Sequence, residues 1–445
     1  MLSRGFSLTS VRSTRLVTRN LAAATAFCLL VGGCASYSRL PLPVKPDLAT
    51  SLSASGPQPL DMNAVATLAV LNSPELKAAR AKSQVSEAQA FAAGLLADPQ
   101  ISGSIDSPTD RGQGYINAYG LGLSLDLQGL LTHAAKKGAA NAARDQARLG
   151  LLWQEWQSIA QARTLYVQQV LDADKVQFLG AAQQTYTTQA ERSGRALQAG
   201  DTTVDQAGAD LALLSDISIQ AGTAQRAALQ TQQSLHALLG VAPEVPLSLQ
   251  PLGAPRLPER ADIDAALARL PQTRPDLAAL QAGYRSQEAV VRKAVLAQFP
   301  MISLGVTKSR DTSNVRSNGL TMTLSLPLFD RGRGEIAIQS ATRAQLRAEF
   351  QARLDLTALV VWRLWAELQQ LQGELAKLGE RLPQLQGNVE GAQRAYVAGD
   401  FSATAYYTLY NAYLAARSAK LDLTQLLWSD SIALSAELGT QLAPQ

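Results

Sequence analysis

Residues 74–102 and 275–303 lie 201 positions apart and align without a gap, with eleven of the 29 positions identical, Pro74/Pro275, Glu87/Glu288 and Pro99/Pro300 among them. The register persists through LSLDL at Leu123 and LSLPL at Leu324. It shortens by two, then returns in RALQAGDTT (195–203) and RAYVAGDFS (394–402) and in the Leu-Gly pairs Leu239-Gly240 and Leu438-Gly439. Convergence of alanine-rich helices does not keep proline, glycine and spacing together, so the chain is one unit of roughly 180 residues written twice. This duplication overrides the two or three domains that 445 residues would otherwise suggest.

Within each copy the hydrophobic period changes in the same order. Residues 62–97 hold no glycine or proline except Pro74 and Gly94 and place apolar residues at helical spacing, until Pro99 stops the helix. The period then drops to two. Ile302, Leu304 and Val306 alternate with Ser303, Gly305 and Thr307, and after a polar turn Leu320, Met322, Leu324 and Leu326 alternate with Thr321, Thr323 and Ser325. In the first copy Tyr119, Leu121, Leu123 and Leu125 alternate with Gly120, Gly122 and Ser124. These patterns predict two hairpins. Strands of this kind fit a half-buried soluble sheet as well as a membrane barrel, whose strands need about 9–11 residues.

Each hairpin feeds a helical run far longer than a globular core requires, 70 residues over 129–198 and 68 over 331–398. At about 1.5 Å per residue each run is a rod of roughly 100 Å. The chain turns at Gly200 or Gly399 and returns through 202–240 or 401–438. The helix before the hairpin and the returning helix together hold 75 residues in each copy, so two half-length helices end to end match one long one. The tip glycines stand where a helix C-terminus takes left-handed geometry, and Asp201 and Asp400 suit the start of the returning helix.

The chain begins with Arg4, Arg12, Arg15 and Arg19, followed by a 13-residue apolar run over 21–33 that ends at Cys34, the pattern of a signal peptide. Setting those four arginines aside leaves 36 basic against 36 acidic residues, so the pI near 9.0 does not indicate a nucleic-acid partner. The stretch V-G-G-C resembles a bacterial lipobox, in which the cysteine carries a diacylglycerol, and Ala35 after it implies sorting to the outer membrane. Cys28 lies in the discarded segment and Cys34 would be acylated, which leaves no thiol for a disulfide within one mature chain. Beyond Cys34 no apolar run approaches 18 residues, so a membrane crossing would have to use strands. Five prolines over 40–60 give an extended tether.

The order of lipobox, half helix, hairpin, long helix, glycine turn and half helix, twice over, resembles the TolC-type outer membrane factors of multidrug and metal efflux systems. LDLQG (125–129), LPLFDRG (326–332) and the paired AGD tips carry the resemblance, which spans nearly all of residues 62–440. It implies a mainly α fold with a membrane β-barrel portion: duplicated long helical hairpins forming a periplasmic α-barrel, and four strands per chain contributing to a 12-stranded barrel in a homotrimer. Domains follow as a signal peptide (1–33), a lipidated tether (34–61), a first outer-membrane-efflux repeat (62–245), a connecting segment (246–261), a second repeat (262–440) and a tail (441–445). The expected partners are a periplasmic adaptor, an inner-membrane pump and outer-membrane lipid. The expected site is the pair of tips, Gly200, Asp201 and Asp205 with Arg195, and Gly399 and Asp400 with Arg394, which would close the periplasmic aperture and dock the adaptor. Thr404 and Ala405 stand in the second copy where an acid corresponding to Asp205 would be wanted.

Catalytic chemistry is not indicated. His133 and His236 occupy unrelated repeat positions, and no phosphate-binding loop, dinucleotide motif or nucleophile elbow occurs, so neither an enzyme nor a cofactor is expected. Besides the passive efflux duct, two readings stay open: a duct for type I secretion, and a periplasmic lipoprotein whose helices form a coiled-coil spacer with no pore.

Overall fold

The computed structural model describes residues 37–51, 59–109, 114–255 and 257–440. The signal peptide, the lipobox with Cys34 and the tail fall outside the described residues. Residues 37–47 are exposed and lie outside any helix or strand.

The first repeat opens with α1 (Met62–Asn72) and α2 (Pro74–Ala93), continues through β1 (Gln100–Asp106) and β2 (Ala118–Asp126), runs down α3 (Leu127–Ala199) and returns on α4 (Val204–Leu239). The second begins with α5 (Arg260–Leu267), α6 (Leu270–Thr273) and α7 (Pro275–Leu296). It proceeds through β3 (Met301–Arg310) and β4 (Arg316–Ser325) and ends with α8 (Arg333–Ala398) and α9 (Ala403–Leu438). The long helices hold 73 and 66 residues.

Each expected half helix before a hairpin proves to be broken. Pro74 cannot donate to the preceding turn, so the chain restarts there as a new helix, with the Ser73 hydroxyl accepting from Leu76 N–H at 3.4 Å. Pro271 and Pro275 divide the second copy as well, there without a side-chain cap. The first of these helices also ends at Ala93, not 97, because Gly94 closes it.

The half helices meet end to end. Gly240 and Gly439 close α4 and α9 with φ of +61° and +64°. A Cβ on Gly240 would lie 2.7 Å from the Asn72 carbonyl oxygen, and one on Gly439 2.9 Å from that of Thr273. These glycines recur because the returning helix abuts backbone at the start of the repeat, where no side chain fits.

This junction is also where the core sits. In the first copy Val65, Leu68, Leu235 and Leu239 pack on Ala162, Tyr166 and Val167 near the middle of α3, joined by Trp428 and Ile432 from the second copy. In the second copy Ile263, Leu434 and Leu438 pack on Val361, Leu364 and Leu368 at the middle of α8. Burying each such leucine contributes about 1.5–3 kcal/mol. Two parallel bridges strap the tether to the segment that follows α4, Ala49 to Val241 and Leu60 to Leu249.

Arg274, 1% exposed, lies at the second junction. It donates to Asp276 through Nε (2.9 Å) and Nη2 (2.7 Å), to Thr357 Oγ1 (3.0 Å) and to the Glu437 carboxylate, and it lies 4.8 Å over the Trp153 ring. Burial alone would lower its pKa, but the Asp276 hydrogen bond and the Glu437 and Asp276 charges raise it above the ordinary arginine value. One guanidinium thus ties α3, α7, α8 and α9 together.

Below the junctions the helices pair as coiled coils. Along α8, Leu368, Leu371, Leu375, Leu378, Leu382, Leu385, Val389, Ala392 and Tyr396 alternate spacings of four and three, a sustained heptad seam. Leu368 and Val389 are buried on it.

Candidate functional site

The four strands form one antiparallel sheet in the order β1-β2-β3-β4, so β2 of one repeat pairs with β3 of the other. The register sorts their side chains onto two faces. Ile101 opposes Leu123, which opposes Val306, which opposes Leu320; Leu125, Leu304 and Met322 make the next row. The other face carries Ser102, Gly122, Thr307 and Gly319 in one row and Ser124, Gly305 and Thr321 in the next. This second face is carpeted with small polar groups: a Cβ on Gly122 would lie 2.6 Å from the Ser102 hydroxyl. Among the described residues the apolar face is exposed, Ile101 at 77% and Leu320 at 80%. The outer edges of β1 and β4 pair with nothing among the described residues. An apolar face of this extent needs a cover other than water, and open edges need partner strands.

At the opposite end, the two tips repeat each other closely. Gly200 and Gly399 close α3 and α8 at φ of +80° and +85°. The N–H of Asp201 donates to the Ala196 carbonyl at 2.8 Å, and that of Asp400 to the Ala395 carbonyl at 2.9 Å. The returning helices are capped by Thr203, whose hydroxyl accepts from Gln206 N–H at 3.3 Å, and Ser402, which accepts from Ala405 N–H at 3.2 Å. The cap thus falls two residues beyond each aspartate, because the Asp N–H is used to finish the long helix. The side chains of Asp201, Asp205 and Asp400 are exposed and make no hydrogen bond among the described residues. Arg195 and Arg394 turn back onto the carbonyls of Glu191 and Glu390, 3.3 Å each, and pair with no tip aspartate.

Residues 266–440 match the outer membrane efflux protein family. No curated protein matches the chain in sequence. Solved structures match its fold. CusC, whose report concerns transmembrane channel formation, superposes with a TM-score of 0.71 at 19% identity, over 92% of this chain and 100% of that one. The CmeC outer membrane channel of Campylobacter jejuni gives 0.72 at 15% identity, over 91% and 93%. The outer membrane protein VceC of Vibrio cholerae gives 0.69 at 18%, over 86% and 97%. The chain therefore has the fold of TolC-type outer membrane efflux channels, a helical barrel joined to a β-barrel portion.

Within this efflux-protein fold the two tips are stitched together by residues the sequence reading did not single out. Asp210, 3% exposed, accepts from Gln189 Nε2 at 2.9 Å and from the Ser193 hydroxyl. Tyr396 donates to Gln189 Oε1 at 3.0 Å, and Tyr186 to Asn411 Oδ1 at 2.6 Å, so polar bonds run between the two hairpins. Tyr406 stacks between Tyr396 (5.4 Å between centroids) and Tyr410 (6.0 Å). Burial, then the neighbouring tyrosines, pushes Tyr186 and Tyr407 far above the ordinary tyrosine value. One signal was available: five of the eleven tyrosines fall within residues 396–413. The two histidines serve packing. His133 Nε2 lies 3.0 Å from the Gly94 carbonyl, and buried His236 lies between the Gln232 and Val245 carbonyls at 2.7 and 2.8 Å.

Proposed function

We propose that the chain is the outer-membrane channel of a tripartite efflux system, a passive homotrimeric export duct with no catalytic activity of its own. The sheet carries this reading. Its apolar face is exposed, its other face is lined by serine, threonine and glycine, and both edges are open among the described residues. Such a sheet is satisfied when copies close it into a barrel with hydrocarbon outside and water within. Two copies give eight strands, whose interior side chains nearly fill; three give twelve and leave a conduit. A coiled-coil spacer without a pore would have no use for the bare apolar face. The acylated Cys34 anchors the chain to the outer membrane, and the helices extend into the periplasm.

On this reading the tips face an adaptor that connects the duct to an inner-membrane pump, with Gly200, Asp201, Asp205 and Arg195 on one hairpin and Gly399, Asp400 and Arg394 on the other. Photocrosslinking groups placed at 201 and 400 in living cells are expected to capture one periplasmic protein that co-purifies with a pump. Capture of nothing beyond the chain itself contradicts docking at the tips. The tip aspartates are unbonded, so Asp201→Ala with Asp400→Ala should leave thermal unfolding unchanged within about 0.5 kcal/mol. The same pair should raise single-channel conductance, because it removes charges that narrow the aperture. Thr203→Ala or Ser402→Ala should instead cost about 1 kcal/mol, the loss of a helix cap.

A further inference from the structure

The apolar face of the sheet does not stay apolar along its whole height. On β3 the residues facing that way run Ile302, Leu304, Val306 and then Lys308 and Arg310. On β4 Arg316 lies directly opposite Arg310, and Asn318 opposite Lys308; on β2 Tyr119 lies on the other side of Arg310. Three cations and a tyrosine thus share the apolar face at the end of the strands away from the helices. Like charges directly opposite each other on neighbouring strands are destabilising. No ion pair of the described residues relieves these three, and Arg310 Nε is buried without a hydrogen-bond partner. Asp311, next in the chain, turns Oδ1 onto the N–H groups of Ser313 and Val315.

The height of this band is set by the strand. From Met301 to Arg310 the backbone rises about 30 Å, or about 23 Å along the axis at a tilt of about 40°, against an apolar band of about 25 Å around membrane barrels. With Phe299 and Phe329, both exposed, marking the interface on the helix side, the three cations fall at the opposite interface, at the depth of lipid phosphates. Beside them Leu121, Leu123, Val306 and Leu320, with Lys308 and Asn318 and the intervening Gly122, Thr307 and Gly319, line an open hollow of about 670 Å³. An open hollow beside unneutralised cations has the shape of an acyl-chain seat beside a phosphate site.

We propose that Lys308, Arg310 and Arg316 bind the phosphate groups of a lipid in the leaflet on the loop side, which is the outer leaflet on the functional reading above, on which this inference rests. The lipid phosphate supplies the charge that the opposed arginines lack, and its acyl chain covers the hollow.

The test compares retention of lipid A and of lipid A stripped of both phosphates by the purified trimer, using native mass spectrometry after detergent exchange. The wild-type trimer is expected to retain the phosphorylated form at least tenfold better. The triple variant Lys308→Gln, Arg310→Gln, Arg316→Gln should lose that preference while still forming conducting trimers in planar bilayers. Equal retention of the two lipids by the wild type, or a preference undiminished in the triple variant, overturns the proposal. Displacement of lipid A by millimolar inorganic phosphate alone would make the band a free-anion site and also overturn it. A wild type that conducts no current sinks the channel reading separately, whatever lipid it retains.

Discussion

Leu304→Arg is expected to abolish barrel assembly and conductance, whereas Ser303→Arg, one residue away, leaves assembly intact and alters only the current. The two positions lie on opposite faces of the same strand, opposite Leu125 and Asp126 respectively on β2. An arginine on the hydrocarbon face near mid-depth costs about 2–4 kcal/mol, and three copies carry it, so the assembly loses about 6–12 kcal/mol. On the water face the same charge stays hydrated and adds only a cationic ring to the lumen. Partition of each variant between membrane-embedded trimer and aggregate, followed by bilayer conductance, separates the two. Equal damage from both substitutions would mean that both faces are buried in protein.

The second large effect is expected at Arg274. Arg274→Met removes the guanidinium that Asp276 and Glu437 share, and leaves Asp276 with the more exposed Arg353 at 4.0 Å, at a junction whose Arg274 side chain is 1% exposed. Breaking a buried pair from one side costs about 3–5 kcal/mol. The loss should appear in denaturant unfolding of the detergent-solubilised protein. Adding Asp276→Leu to Arg274→Met should recover part of it, because the stranded charge is then gone as well. A change under about 1 kcal/mol for Arg274→Met would show that water reaches the cluster and that it does not hold the four helices.

The features legible in the sequence were those fixed by local stereochemistry or by period. The tip glycines take left-handed φ whatever surrounds them, and the alternation through Leu304 and Thr321 can place side chains on two faces in only one way. The pairing of half helices with one long helix followed from length alone. Breaks and caps were harder. Pro74 and Pro275 are plain in the sequence, yet not whether each kinks a helix or restarts it: Ser73 caps the restart at Pro74, and the chain restarts at Pro275 with no side-chain cap. The carboxylates of Asp201 and Asp400 suit the start of the returning helix. Their N–H groups are already committed to the helix before them, which moves the caps to Thr203 and Ser402.

The tip network and the Arg274 cluster had the least local trace. Tyr186 reaches Asn411 across 225 positions and Arg274 reaches Glu437 across 163, and neither partnership leaves a periodicity. Ser73 stands where the first repeat would hold the counterpart of Arg274, so the duplication that revealed the architecture could not reveal this contact.

On this account four two-faced strands from each chain close, with those of other copies, around water. Single-channel recording of the purified protein in planar lipid bilayers tests it most directly, with Cys34→Ser included so that an acyl anchor cannot account for membrane association. Discrete, long-lived current steps from both proteins are expected. Silent bilayers, with the Cys34→Ser protein folded and monomeric in the aqueous phase, would contradict the account.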